Sequence, residues 1–271
     1  MCELCQIYNA VKDEPSPFTD EDRDRMINRA WLGQIDKRNL PVDIYTKTHK
    51  HLNNGVEKGF GKALLEAQFG SPDRLMLEDL ATNIYVFSAA KTYQNTRQMT
   101  ALLTDEVYKV NYYKFKEKAS EIFHDFNDAY LQAEYQTAIA SSRMAAEWQR
   151  ITADEDALPL LQYQTVGDAR VRPTHRQLDN IIKPVNDVFW NTYYPPNGWR
   201  CRCLTISLED GEITDISKIK NIDEDVPPLF KMNSGKDRII FRDKGKDKHP
   251  YFDVAYGDKE FAKRNFDLPM P

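Results

Sequence analysis

The sequence predicts an α+β fold: long amphipathic helices in the N-terminal part, a small mixed α/β module with a short antiparallel sheet, and an extended C-terminal tail. Three observations predict it. Apolar residues recur at helical spacing as far as Ile151. Two strand-like runs then bracket a stretch crowded with proline and turn residues. Beyond Leu208 the chain becomes acidic and mixed in charge, with little periodicity. The expected organisation is 1–152, 153–208 and 209–271.

The first helix starts at Thr19-Asp20-Glu21-Asp22, where a hydroxyl residue precedes acids that favour a first turn. Met26, Ile27, Ala30 and Trp31 follow at helical spacing. Pro41 and Ser71-Pro72 mark further starts, because proline is tolerated at the first helical position. After Pro72, Leu77, Leu80, Ile84 and Phe87 form the stripe of a long amphipathic helix. Gly55, Gly59, Gly61 and Gly70 read as helix ends or bends, since no phosphate-binding loop pattern is present. From Val107 to Ile151 two stripes appear, Phe115-Ala119-Ile122-Phe126 and Leu131-Tyr135-Ala138 on to Ala145 and Trp148. Their phase slips near Asn127-Asp128, which predicts a kink or break.

Leu160, Leu161, Tyr163, Thr165 and Val166 read as one strand, and Cys201 to Ile206 as a second. Arg172-Pro173, Lys183-Pro184 and Pro195-Pro196-Asn197-Gly198 supply turn chemistry between them. In the tail, Arg238-Ile239-Ile240-Phe241 reads as a short strand.

Bulk properties narrow the function. A net charge of -5 excludes a protein that coats nucleic acid by overall charge, so any DNA contact needs a local basic patch. Met1 to Gln6 lacks the basic and apolar regions of a secretory signal, and no run approaches the roughly 18 apolar residues of a spanning helix. The expectation is a cytoplasmic protein with no membrane partner, at least until it joins something larger. In that compartment four cysteines do not suggest a disulfide framework.

The most informative stretch is Tyr163-Gln164-Thr165-Val166-Gly167-Asp168, then Arg170, Arg172-Pro173, His175 and Leu178-Asp179, then Phe189-Trp190, and finally Pro195-Pro196-Asn197-Gly198-Trp199-Arg200-Cys201-Arg202-Cys203. In order and spacing it closely resembles the core motif of the phage Mu F-like minor head proteins, the head morphogenesis family. The helix from Phe126 through Tyr135 to Trp148 is similar to the one preceding that module in the same family. Two positions depart from the pattern: Asn180 stands where glycine is common, and Arg200 where small residues are frequent. Asparagine tolerates a left-handed turn, so the first departure is mild.

Read as chemistry, Cys201 and Cys203 two apart on a strand would share one face, with parallel side chains that disfavour a disulfide between them. One reading is a metal clip, both thiolates with His175 and a carboxylate such as Asp168 or Asp179, holding a structural zinc. The other is a pair of small buried hydrophobes beside a hydrogen-bonded histidine. A variant joins Cys2 and Cys5 to Cys201 and Cys203 as a four-thiolate site. Asp168, Arg172, Asp179, Phe189, Trp190, Pro196, Gly198 and Trp199 read as the structural frame, the aromatics being the core of a small module. Arg170, Arg176, Arg200 and Arg202 could touch DNA or form a salt-bridged face.

The resemblance implies a minor head protein at the portal vertex inside the virion head, present in several copies. It would bind the portal and other head proteins, act in head assembly, and serve packaged DNA at packaging or ejection. It implies no catalytic residue. The alternatives are a metal-dependent hydrolase or nuclease, which needs an open coordination position, and a carrier for an effector domain, which the short tail disfavours.

Overall fold

The computed structural model describes residues 14–218 and 226–260. Helices dominate as far as Ala153: α1 (Asp20–Trp31), α2 (Val42–Phe60), α3 (Pro72–Ala101), the single turn α4 (Glu106–Lys109), α5 (Tyr112–His124) and α6 (Leu131–Ala153). A mixed module follows, with β1 (Leu160–Gln164), α7 (Pro173–Arg176), β2 (Ile182–Pro184) and β3 (Leu204–Leu208). After β3 the described chain runs through single helical turns, among them α8 (Ser234–Asp237). No helix among the described residues is long and apolar enough to cross a membrane.

By internal contacts the described chain forms two discontinuous units. One takes Gly55–Ala81 and Gln136–Arg242; the other takes Glu14–Asn54, Thr82–Tyr135 and the segment from Asp243. Helices α2, α3 and α6 each give residues to both.

In the second unit, α1 begins with a full capping box: Thr19 accepts from the Asp22 amide, and the Asp22 carboxylate accepts from the Thr19 amide. The apolar face of α1 then buries Met26, Ile27 and Ala30 with Phe115, Ala119 and Phe123 of α5. The predicted break near Asn127 is a π-helical turn, Asp125–Tyr130, between α5 and α6. Its wider turn takes up one extra residue, which is the phase slip seen in the stripes.

Helix α3 departs from expectation. Its predicted stripe is buried, with Leu77, Leu80, Ile84 and Phe87 all at 1% exposure or less. The rest of its circumference is buried too, since every residue from Val86 to Thr96 is buried. Its hydroxyls enter the interior by bonding their own helix: Ser88, Thr92, Thr96 and Thr100 each donate to the carbonyl four residues back, at 2.8 Å. Lys91 enters by a different route. Its ammonium meets both Glu134 carboxylate oxygens at 2.8 and 3.0 Å, with the Tyr251 and Phe126 rings 5.2 and 5.5 Å from it. Burial pulls the lysine down from its ordinary pKa and pushes the glutamate up, while each partner's charge opposes the shift.

In the first unit, β1 is the central strand, paired antiparallel with β2 on one side and β3 on the other. Strand β2 was not legible as a strand in the sequence. Strand β1 ends at Gln164 rather than Val166, because the Thr165 amide donates to Asp179 Oδ1 at 2.7 Å and Gly167 turns the chain at φ 71. The second expected strand begins at Leu204, so Cys201 to Cys203 precede it. The run Arg238 to Phe241 is not a strand: α8 ends against it, and Arg238 takes a left-handed φ of 57. Of the four glycines read as helix ends, Gly61 ends α2 and Gly70 precedes α3, both at positive φ. Gly55 and Gly59 lie inside α2 instead. A Cβ on Gly59 would come within 2.2 Å of the Ile139 carbonyl oxygen, so the small residue serves close helix approach.

The Lys91–Glu134 pair sets a test. Lys91→Met leaves a buried carboxylate without its partner and is expected to cost about 3–5 kcal/mol in urea unfolding. Lys91→Met with Glu134→Leu is expected to recover most of that loss, because no charge remains buried.

Candidate metal centre

Two loops of the mixed module build the site. The first leaves β1 and reaches α7, where Pro173 occupies an early helical position and places His175 inward. The second runs from the cis Pro195-Pro196 peptide through Gly198 to Cys203, directly before β3. His175 Nδ1 lies 3.7 Å from Cys201 Sγ and 3.6 Å from Cys203 Sγ. All three side chains are buried, and their donor atoms lie within 4.8 Å of one another.

Polar clamps hold the loops together on either side of this cluster. Arg202 grips Asp168 with two parallel bonds of 2.6 and 2.7 Å, the fork geometry that suits guanidinium and carboxylate. The Arg202 hydrogen bonds hold the Asp168 carboxyl well below the usual carboxylate range. Arg172 donates to the Trp199 carbonyl at 2.5 Å. Gly198 passes close to that arginine and to the His175 ring. Both departures from the family pattern fall on left-handed backbone, Asn180 at φ 63 and Arg200 at φ 59.

Beneath the cluster, the Tyr163 hydroxyl donates to Asn197 Oδ1 at 2.9 Å. The Asn197 amide in turn donates to the carbonyls of Thr192 and Tyr194. Burial pushes the Tyr163 phenol well above its ordinary pKa, and the nearby Cys201 and Cys203 push the same way. The aromatic frame closes around this core. Trp190 is fully buried and donates to the Pro184 carbonyl at 2.9 Å, with Phe189 edge-on to it. Trp199 packs against Phe230 and Phe241 from beyond β3.

Electrostatically the two thiols are unequal. Cys201 is held well below the usual thiol value by hydrogen bonding from Cys203, with His175 adding to it. Cys203 is pushed up by its hydrogen-bonded neighbour Cys201 and by burial. Two soft sulfurs and one imidazole nitrogen, converging in a buried site, are a donor set able to coordinate a metal and suited to zinc.

The predicted site residues thus separate into groups. His175, Cys201 and Cys203 come together, and both cysteines are free thiols. The carboxylates do not join them: Asp168 is engaged by Arg202, and Asp179 caps the turn after β1. Cys2 and Cys5 lie outside the described residues. Among the basic residues, Arg170, Arg176 and Arg200 are exposed, whereas the Arg202 side chain is 9% exposed in its ion pair. Sequence reasoning missed the roles of Asn197 and Tyr163. The available signal was an asparagine set between two prolines and a glycine, a place where its amide can satisfy a turn.

A family model described as "Phage Mu protein F like protein" matches residues 46–206. Among curated proteins, the chain is 38% identical over 72 residues to "Putative capsid assembly protein F" of Escherichia phage Mu, an alignment covering 27% of this chain and 16% of the relative. It is 33% identical over 103 residues to "Mu-like prophage FluMu F protein" of Haemophilus influenzae, covering 33% of this chain and 24% of the relative. The chain therefore spans less than a quarter of the length of these relatives. No solved structure matches.

Asn197→Ala tests the polar core. It strands the buried Tyr163 hydroxyl and is expected to cost about 1–3 kcal/mol for that group alone. Adding Tyr163→Phe is expected to cost less than the sum of the two single changes, measured as a double-mutant cycle in chemical denaturation.

Proposed function

Because the chain belongs to the Phage Mu protein F like family, we propose that it is a minor head protein of a tailed phage or prophage, seated at the portal vertex inside the head. The observation that carries this reading is the match over residues 46–206, which takes in α3, α5, α6 and both loops of the candidate site. The phage Mu relative, a putative capsid assembly protein, points the same way. In this role the mixed module is a rigid node. Exposed apolar side chains of the helical region, Leu65 and Phe69 between α2 and α3, Val110 between α4 and α5, and Tyr113 on α5, supply contacts to the portal, other head proteins or sister copies. Arg170, Arg176 and Arg200, all exposed, are the basic residues available to meet packaged DNA.

Within that node, His175, Cys201 and Cys203 hold one structural zinc, which supplies a cross-link between the two loops. Burial of all three donors and engagement of Asp168 by Arg202 favour a structural ion over a hydrolytic one. On this reading the protein is not an enzyme.

Two measurements test the proposal. The full chain, mixed with the portal protein of the same phage, is expected to co-sediment with portal rings; a chain that stays separate overturns the head-assembly role. Elemental analysis is expected to give about one zinc per chain, and chelation to lower the melting temperature. Zinc held at 1,000 times its Kd would add about 4 kcal/mol of stability. Absence of stoichiometric zinc overturns the metal reading and leaves a thiol–imidazole core.

A further inference from the structure

We infer that a cavity beside the π-helical turn binds an arginine side chain of a partner polypeptide. The cavity lies wholly within the second unit and is independent of the candidate metal centre. Its volume is about 270 Å³, and three stretches of chain wall it. These are residues 14–17, His51 of α2, and the run from His124 at the end of α5 through the turn into α6. Turns of this kind inside helices are frequent at functional sites.

The charge of the walls selects a cation. Glu14 and Asp128 line the cavity, and no lysine or arginine does. His124 holds the Asp128 carboxylate in place, its Nδ1 lying 3.0 Å from Oδ2. Among the described residues only the His175 cluster brings three metal-ligating groups within 4.8 Å of one another. The imidazoles and carboxylates here are therefore too far apart to share one metal ion, and an extended organic cation suits their spacing.

The shape of the walls favours guanidinium over ammonium. His51 stacks on Tyr135, with ring centroids 4.2 Å apart and planes 25° apart. The Tyr135 hydroxyl donates to Asn54 Oδ1 at 3.0 Å, so the ring pair is fixed as a flat piece of wall. A guanidinium can stack on such a ring and fork onto a carboxylate, whereas an ammonium is a strongly hydrated point charge. Pro15, Pro17 and Leu131 supply apolar wall for the methylene stem.

Asn127 points to a polypeptide rather than a free cation. This residue of the cavity wall is 1% exposed, and its side-chain nitrogen has no hydrogen-bond partner. Its backbone carbonyl is already taken by the Ser16 hydroxyl at 3.2 Å. A buried amide donor left unmatched calls for an acceptor. The main-chain carbonyl beside an arginine side chain is one.

The test titrates the full chain, carrying isotope-labelled histidine, with acetyl-Ala-Arg-Ala-amide and follows the His51 and His124 ring resonances by NMR. The arginine peptide is expected to shift both and to bind about tenfold or more tighter than its citrulline counterpart, which keeps the shape and loses the charge. The lysine counterpart, and propylguanidinium without a peptide carbonyl, are expected to bind more weakly than the arginine peptide. Asp128→Asn keeps an acceptor for His124 and is expected to weaken the arginine peptide about tenfold. Arginine and citrulline peptides that bind alike overturn the inference, as do resonances of His51 and His124 that stay still. Lysine binding as tightly as arginine, or an unchanged Kd in Asp128→Asn, overturns the guanidinium assignment, and propylguanidinium binding as tightly overturns the polypeptide one. Should Asp128→Asn fail to fold, the comparison of ligands on the wild-type chain decides. None of these outcomes alters co-sedimentation with portal rings, so the head-assembly reading stands or falls separately.

Discussion

Two loops with little regular structure of their own must bring His175, Cys201 and Cys203 within 4.8 Å, and the Asp168–Arg202 fork is the contact that makes this geometry hold. A bidentate guanidinium–carboxylate pair fixes distance and orientation together, which one hydrogen bond does not. Arg172 adds a second grip on the Trp199 carbonyl. With both clamps in place, the sulfurs and the imidazole face one another.

Polar groups are placed in the interior of both units, and several of them find their partner within the chain. In the mixed module, Asn197 satisfies the Tyr163 hydroxyl and two carbonyls of the turn before it. In the other unit, α3 carries a hydroxyl every four residues, each turned back to its own helix, and Lys91 is matched to Glu134. These pairings cost more to break than apolar contacts of similar size, because the remaining group is left without water or partner. They favour a single arrangement within each unit.

The motif from Tyr163 to Cys203 was legible because its residues are tied to backbone geometry: proline at a helix start, glycine near an arginine, aromatics in a small core. The same logic accommodates one departure from the family pattern, since Asn180 occupies left-handed backbone that asparagine tolerates; nothing in the structure explains an arginine at position 200, which shares that backbone. The stripe slip near Asn127 was legible as a break, and a π turn is its physical form. Less was legible where a residue's environment depends on distant chain. Helix α3 reads as amphipathic, yet its polar side is buried because its hydroxyls and its lysine find partners. Arg238 to Phe241 has strand composition, but the turn that ends α8 claims its first residue.

By itself the sequence determined the family and the helical and mixed regions, because these depend on local spacing and residue chemistry, and it offered His175 with Cys201 and Cys203 as one of two readings that only the packed loops bring within reach. The tertiary structure decided which acids stay out of the cluster, which arginine is bound and which are exposed, and where the strands end. Those outcomes depend on competition for hydrogen bonds. Asp168 and Asp179 could each have been ligands by type, and only the packed loops show that Arg202 and the Thr165 amide hold them instead.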